Sequence, residues 1–174
     1  MKKLFALLLA LGMLCSFAMA EEAEAIELSW DSVSEETQAL GSFYPINMNE
    51  LGTLIYWVPQ NMAAQDVSES DVEGLLAAFA TDDEAYTISV FAFEVADGSQ
   101  AYIAGLGITE ENAKQFTTNG IYCIGFEQEE QGNDIVIIPV TDTAVIVYVF
   151  SPLNGDEEWD EVKGVIVSSI QWIK

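Results

Sequence analysis

The chain has 174 residues, 51% of them hydrophobic, with 29 acidic against 5 basic side chains, no histidine and a formal net charge of −24 at pH 7. Having no arginine and few lysines, it repels phosphate backbones, so nucleic acid is not expected as a partner. It also offers no guanidinium fork to anionic substrates. The missing histidine rules out a Ser-His-Asp triad and zinc sites built on Cys and His.

Residues 1–20, MKKLFALLLALGMLCSFAMA, read as an export signal. Lys2 and Lys3 open it, an apolar run extends to Phe17, and Ala18-Met19-Ala20 is a small-x-small cleavage pattern. The apolar run is shorter than the ~20 residues a membrane span needs. Leu14, just before Cys15, departs from a lipoprotein signal. The expectation is a protein exported after cleavage near Ala20 (secreted, periplasmic or in the cell envelope), with no transmembrane segment in the mature chain. A disordered acidic lead-in over 21–25 would precede a single α+β domain over 26–174.

All the acids follow Ala20, and only Lys114, Lys163 and Lys174 oppose them. The charge serves either solubility or attraction of divalent cations or a basic partner. One mature cysteine, Cys123, leaves no intramolecular disulfide, so the core holds the domain alone.

In chain order, AIELSW (25–30) reads as a short strand. DSVSEETQAL reads as a short helix capped by Asp31 or Ser32. GSFYPIN and LGTLIYWVP read as two strands across a turn at 47–50, with Pro45 suiting a sheet edge. QNMAAQDVSESD is polar and small, a loop. Residues 74–80 and 86–95 form a hairpin with its turn at 81–84. The following stretch, to Phe116, reads as helical, with Ser99 capping one helix and Thr109 a second. Strands follow over 121–127, 135–139 and 144–150. NGDEEWDEVKGVIVSSIQWIK closes the chain as a helix. Trp159, Val162, Ile166, Ile170 and Ile173 make its apolar stripe, and Asp156, Glu157 and Glu158 sit in its first turn, where the helix dipole favours them.

AVIVYVF (144–150) and IVII (135–138) are apolar at every position. A sheet with one wet face alternates apolar and polar residues, so these strands must be covered on both sides. The fold expected is α+β: an antiparallel sheet of about six strands with helices packed on both faces, an α/β/α sandwich.

The order WVPQNM, the GLLAAFATDDEAYTISV hairpin, a helical stretch, NGIYCIGF, two strands, FSP and a closing helix with SSIQWI resembles the PsbP-like fold family, over roughly 54–174. That group includes an extrinsic photosystem II protein, a Ran-binding nuclear-import factor and small exported bacterial proteins. The resemblance implies a binding or assembly protein without a shared catalytic site. It carries over no functional residue, and this chain differs in having no arginine.

Cys123 lies in NGIYCIGF, where Ile121, Cys123 and Gly125 share one strand face and Tyr122, Ile124 and Phe126 the other. No histidine or nearby lysine would activate its thiol, so it reads as a core residue. The EF-hand spacing does not occur, and TDDEA and NGDEEWDE read as a turn and a helix start. With so many acids, the presence of a carboxylate pair is uninformative. Gly105 and Gly107 do not make a nucleotide-binding loop. Trp30, Trp57, Trp159 and Trp172 lie near element ends. Trp159 belongs to the helix stripe, while Trp57 and Trp172 mark either core or an exposed contact. No catalytic, cofactor-binding or metal-ligating residue is assigned. The function expected is a non-enzymatic binding or assembly module with a strongly acidic surface, its partner a basic protein or peptide. The alternatives are a carboxylate-only hydrolase or a divalent-cation-binding envelope protein.

Overall fold

The computed structural model describes residues 26–48, 52–109 and 111–173. The expected export signal, the expected acidic lead-in and part of the expected turn at 47–50 lie outside the described residues. The fold is α+β. Its strands are β1 (Ile26–Leu28), β2 (Gly41–Asn47), β3 (Thr53–Pro59), β4 (Met62–Ala64), β5 (Leu75–Thr81), β6 (Thr87–Glu94), β7 (Ala113–Thr118), β8 (Ile121–Gln128), β9 (Asn133–Thr141), β10 (Ala144–Ser151) and β11 (Gln171–Ile173). Its α-helices are α1 (Glu35–Gln38), α2 (Ser99–Gly105) and α3 (Glu157–Ser169), with a 3-10 turn at Trp30–Ser32.

One sheet has eight strands in the order β1-β7-β8-β9-β10-β6-β5-β4, and a second has three in the order β11-β3-β2. The larger sheet is mixed, because β1 runs parallel to β7. The expected single antiparallel sheet of about six strands is corrected on both counts. Strand β4 falls in a stretch expected as loop and β7 in one expected as helix, and β2 and β3 join β11 in a sheet of their own.

The described residues divide into two compact units. One holds Asn61–Gln115 and Tyr122–Asp156; the other gathers residues up to Gln60, Phe116–Ile121 and residues from Glu157 onward.

The first of these is built from neighbouring hairpins. Ile124 faces Ile137, Ile137 faces Val147, and Val147 faces Phe91, a cross-strand row over four strands. This row belongs to an apolar cluster with Val95, Ile108, Ile135 and Val145, against which Tyr102, Ile103 and Leu106 of the α2 region pack. The alternate row, Gly125, Val136, Tyr148, Val90 and Ala77, is buried too. Both faces of these strands are therefore covered, as their unbroken apolar sequence required.

The α2 region corrects two expectations. Gly98, not Ser99, is the N-cap, at φ 94°. The Ser99 N–H instead donates to the Asp142 carbonyl at 2.7 Å. The helix stops at Gly105, and the expected second helix is replaced by a turn and β7. The Asn112 Oδ1 accepts from the Thr109 N–H at 2.7 Å, and the aromatic and β-branched residues of QFTT then favour a strand. In the β5–β6 turn, Asp83 accepts from the Thr81 hydroxyl at 2.7 Å and the Ala85 N–H at 3.2 Å. These bonds hold its carboxyl below the usual range.

In the other unit, Ser29 caps the 3-10 turn by accepting from the Asp31 N–H, and Ser34 caps α1 by accepting from the Thr37 N–H. The expected caps, Asp31 and Ser32, are displaced because serines precede each turn at the extended position a cap requires. Helix α3 packs against β3, with Trp159 and Ile166 buried. It carries Glu157, Glu158 and Asp160 in its first turn. It ends at Ser169, earlier than its apolar stripe suggested. Trp172 then pairs with Leu54 in β11, and Ile173 is exposed.

Candidate functional site

Strand β2, GSFYPIN, is the feature that the packing of its unit does not use up. It carries no charged residue, and 42–45 are exposed in succession. The edge strands β1, β4 and β11 have three residues each, whereas β2 has seven. Proteins blunt long edges with charge, bulges or proline, and here proline is the device present.

The direction of the β2 edge follows from hydrogen-bond parity. The Gln60 N–H donates to the Leu40 carbonyl at 2.9 Å, and the Met48 N–H donates to the Gly52 carbonyl at 2.8 Å. Between these brackets Ser42 faces Val58, Tyr44 faces Tyr56, and Ile46 faces Leu54. Bonded pairs alternate in an antiparallel ladder, so these even positions turn their backbone groups toward β3. Gly41, Phe43 and Pro45 turn theirs outward. Proline lacks an N–H to donate, so the outward position is the one it tolerates, as expected for Pro45.

The side chains of β2 and β3 sort by the same alternation. Ile46, Leu54, Tyr56 and Val58 share a face and are buried. Burial first, and Tyr44 second, raise the Tyr56 hydroxyl far above its ordinary pKa. Phe43, Pro45, Ile55 and Ile173 share the other face. Phe43 is 40% exposed and Ile173 is 52% exposed. At one end this face is closed by aromatic packing. Trp30 meets Phe43 edge-on at 5.1 Å and lies 6.3 Å from the Trp57 ring. The Trp57 indole N–H donates to the Gln38 carbonyl at 3.1 Å. Gly41 is required here, since a Cβ on it would sit 2.3 Å from the Trp57 ring.

Asn119 holds this platform in place. Its N–H donates to the Leu28 carbonyl, and its Oδ1 accepts from the Trp30 N–H at 3.0 Å. Its Nδ2 donates to the Ser168 and Ile170 carbonyls at 2.8 and 2.9 Å. Three segments distant in sequence meet on one side chain. Thr118 adds a bond to the Val167 carbonyl at 2.8 Å, so carbonyls that a helix end leaves open are satisfied by side chains. The Ser169 hydroxyl accepts from the Trp57 N–H at 2.7 Å. Asn119 and Gly120 have φ values of 48° and 78°, the left-handed pair that an Asn-Gly hairpin turn uses.

The electrostatics around β2 are one-sided. Asp31, Glu35 and Glu36 are exposed on the turns that lead into it. The lysine described in this unit, Lys163, is 7% exposed and paired with Asp160 at 2.9 Å.

Elsewhere, Cys123 is fully buried, and burial pushes its thiol up to about 12, which makes it a packing residue. Trp57 is core, at 3% exposed, as is Trp159; Trp30 and Trp172 are half-buried. Among the described residues, no group of three or more His, Cys, Asp or Glu side chains converges to hold a metal ion, and no helix is long and apolar enough to cross a membrane. Sequence reasoning picked out Pro45 but missed Asn119. Its signal, the Asn-Gly pair, announces a turn and not the three segments that meet there.

No protein-family model matches the chain, and no curated protein matches it. Among solved structures it is similar to the solution structure of cyanobacterial PsbP (CyanoP) from Synechocystis sp. PCC 6803. That match has 12% identity and a TM-score of 0.48, covering 90% of this chain and 99% of the other. A crystal structure from Bacteroides thetaiotaomicron matches with 16% identity and a TM-score of 0.46. It covers 78% of this chain and 49% of the other, so the chain spans about half the length of that protein. The structural resemblance to a PsbP-like protein, first drawn from the order of elements, is one of fold.

Proposed function

We propose that this is an exported, non-enzymatic binding or assembly module that holds a basic protein or peptide against a strongly acidic surface. The observation that supports it is the placement of the carboxylates: every described Asp and Glu side chain is exposed or half-exposed, and none is buried. A carboxylate-only hydrolase needs an acid held protonated by an apolar pocket. A carboxylate left in water instead contributes long-range field, which steers and holds cationic partners. The export signal over 1–20 would deliver the protein outside the cytoplasm.

Affinity capture from an envelope fraction at low and high salt tests this. A saturable, basic partner released by salt is the expected result. A partner that is acidic, or retention that ignores salt, would count against it, because screening weakens contacts between exposed charges.

A further inference from the structure

The outward edge of β2 is a docking strip for an extended chain, and we infer that its occupant is a cationic segment of another protein, added to the three-stranded sheet as a further strand. The inference rests on the proposed function and specifies where and how the partner binds. Three observations carry it. First, β2 has seven residues with no Lys, Arg, Asp or Glu among them, while 42–45 are exposed in succession. Second, the ladder parity turns the Gly41 and Phe43 N–H groups, and the Gly41, Phe43 and Pro45 carbonyls, away from β3. An incoming strand bonds to such a row through its main chain and uses alternate side chains for selectivity. Phe43 and Pro45 give those side chains an apolar face, which Ile55 and Ile173 continue.

Third, charge decides among occupants. Asp31, Glu35 and Glu36 are exposed on the turns that enter β2, and the whole chain carries −24. A second copy of the chain brings the same acids to the same edge, which like-charge repulsion disfavours. An extended segment that alternates Lys or Arg with apolar residues offers apolar side chains to Phe43 and Pro45 and positive charge to the exposed acids near this edge.

The test uses the mature protein and a synthetic peptide of about ten residues, the length of an ordinary strand, alternating lysine and valine. A second peptide of the same sequence carries N-methyl groups on alternate amides, which keeps its charge and removes its ladder. The unmodified peptide is expected to bind, and methylation to weaken it by about tenfold or more. Phe43→Pro, which deletes an outward N–H, is expected to weaken binding well beyond Phe43→Ala, which deletes the ring alone. Equal affinity for the two peptides overturns the docking strip and leaves the acidic-surface function standing. Failure of both peptides to bind at low salt overturns the strip and the proposed function together. Dimerisation of the protein that excludes the peptide assigns the edge to a second copy and overturns the inference.

Discussion

The two units reach stability by different means. The hairpin unit is a stack of neighbours. Its strands β8, β9 and β10 follow one another in sequence, and its core row runs Ile124, Ile137, Val147, Phe91 across adjacent strands. The other unit is assembled from three separated segments and depends on side chains that bond to backbone. Asn119 alone reaches Leu28, Trp30, Ser168 and Ile170. Apolar burial is tolerant, since cores accept volume-conserving exchange. A polar junction is less so, even half-buried as at Asn119, because removing one partner leaves the others unsatisfied. The unit with the stricter junction is also the one that leaves a long edge unused.

Gly41→Val is the harshest way to break that contrast. Its side chain would begin 2.3 Å from the Trp57 ring and the Val58 carbonyl. The expected cost is about 3 kcal/mol, read by chemical denaturation, with a changed tryptophan near-UV signal. Asn119→Ala comes next, at about 2–3 kcal/mol, since an N–H and two carbonyls lose their partner at once. Asn119→Gly keeps the left-handed turn accessible and should differ from Ala only by that backbone term. An effect of Asn119→Ala below ~1 kcal/mol would contradict the junction's role.

The hairpin unit contributes an alkaline effect through Cys123. Its folded thiol, raised by burial from 9.0 to about 12, keeps its proton where the unfolded thiol has lost one. The unfolded state then binds fewer protons, so stability falls as pH rises from about 9 to about 12, by at most about 1.4 kcal/mol per pH unit from this group. Below pH 9 the contribution is fully present. Cys123→Val should flatten the stability profile between about pH 8.5 and about pH 9.5, the range in which an ordinary thiol loses its proton. The thiol should also react slowly with alkylating reagents until the protein unfolds.

Pro45→Ala is expected to have the smallest effect, a loss of about 0.5 kcal/mol from the added freedom of the unfolded chain. A gain would mean that the new N–H bonds to β3, and the outward parity of Pro45 would be wrong.

What was legible in the sequence follows the same division. The strands at 121–127, 135–139 and 144–150, and the hairpin before them, are found within a residue or two, because short apolar runs bounded by turn residues are written locally. The unbroken apolar runs also foretold burial on both faces. Segments whose conformation depends on distant partners were misread. AKQFTT looks helical after an acidic turn, yet it is a strand whose Phe116, Thr117 and Thr118 pair in parallel with β1. The last residues continue a helical stripe, yet β11 forms because β3 is there to receive it. At the candidate site, Pro45 announced an edge. The aromatic platform did not show, since Trp30, Phe43 and Trp57 are far apart in sequence and no motif joins them.

The central claim, that β2 offers its odd-numbered backbone groups to an extended cationic partner, is most directly tested by residue-resolved amide exchange. The mature protein would be measured with and without the lysine-valine peptide. New protection at the Gly41 and Phe43 amides, with the already bonded Ser42 and Tyr44 amides unchanged, is the result this account predicts. Peptide binding that leaves Gly41 and Phe43 exchanging as before would contradict it.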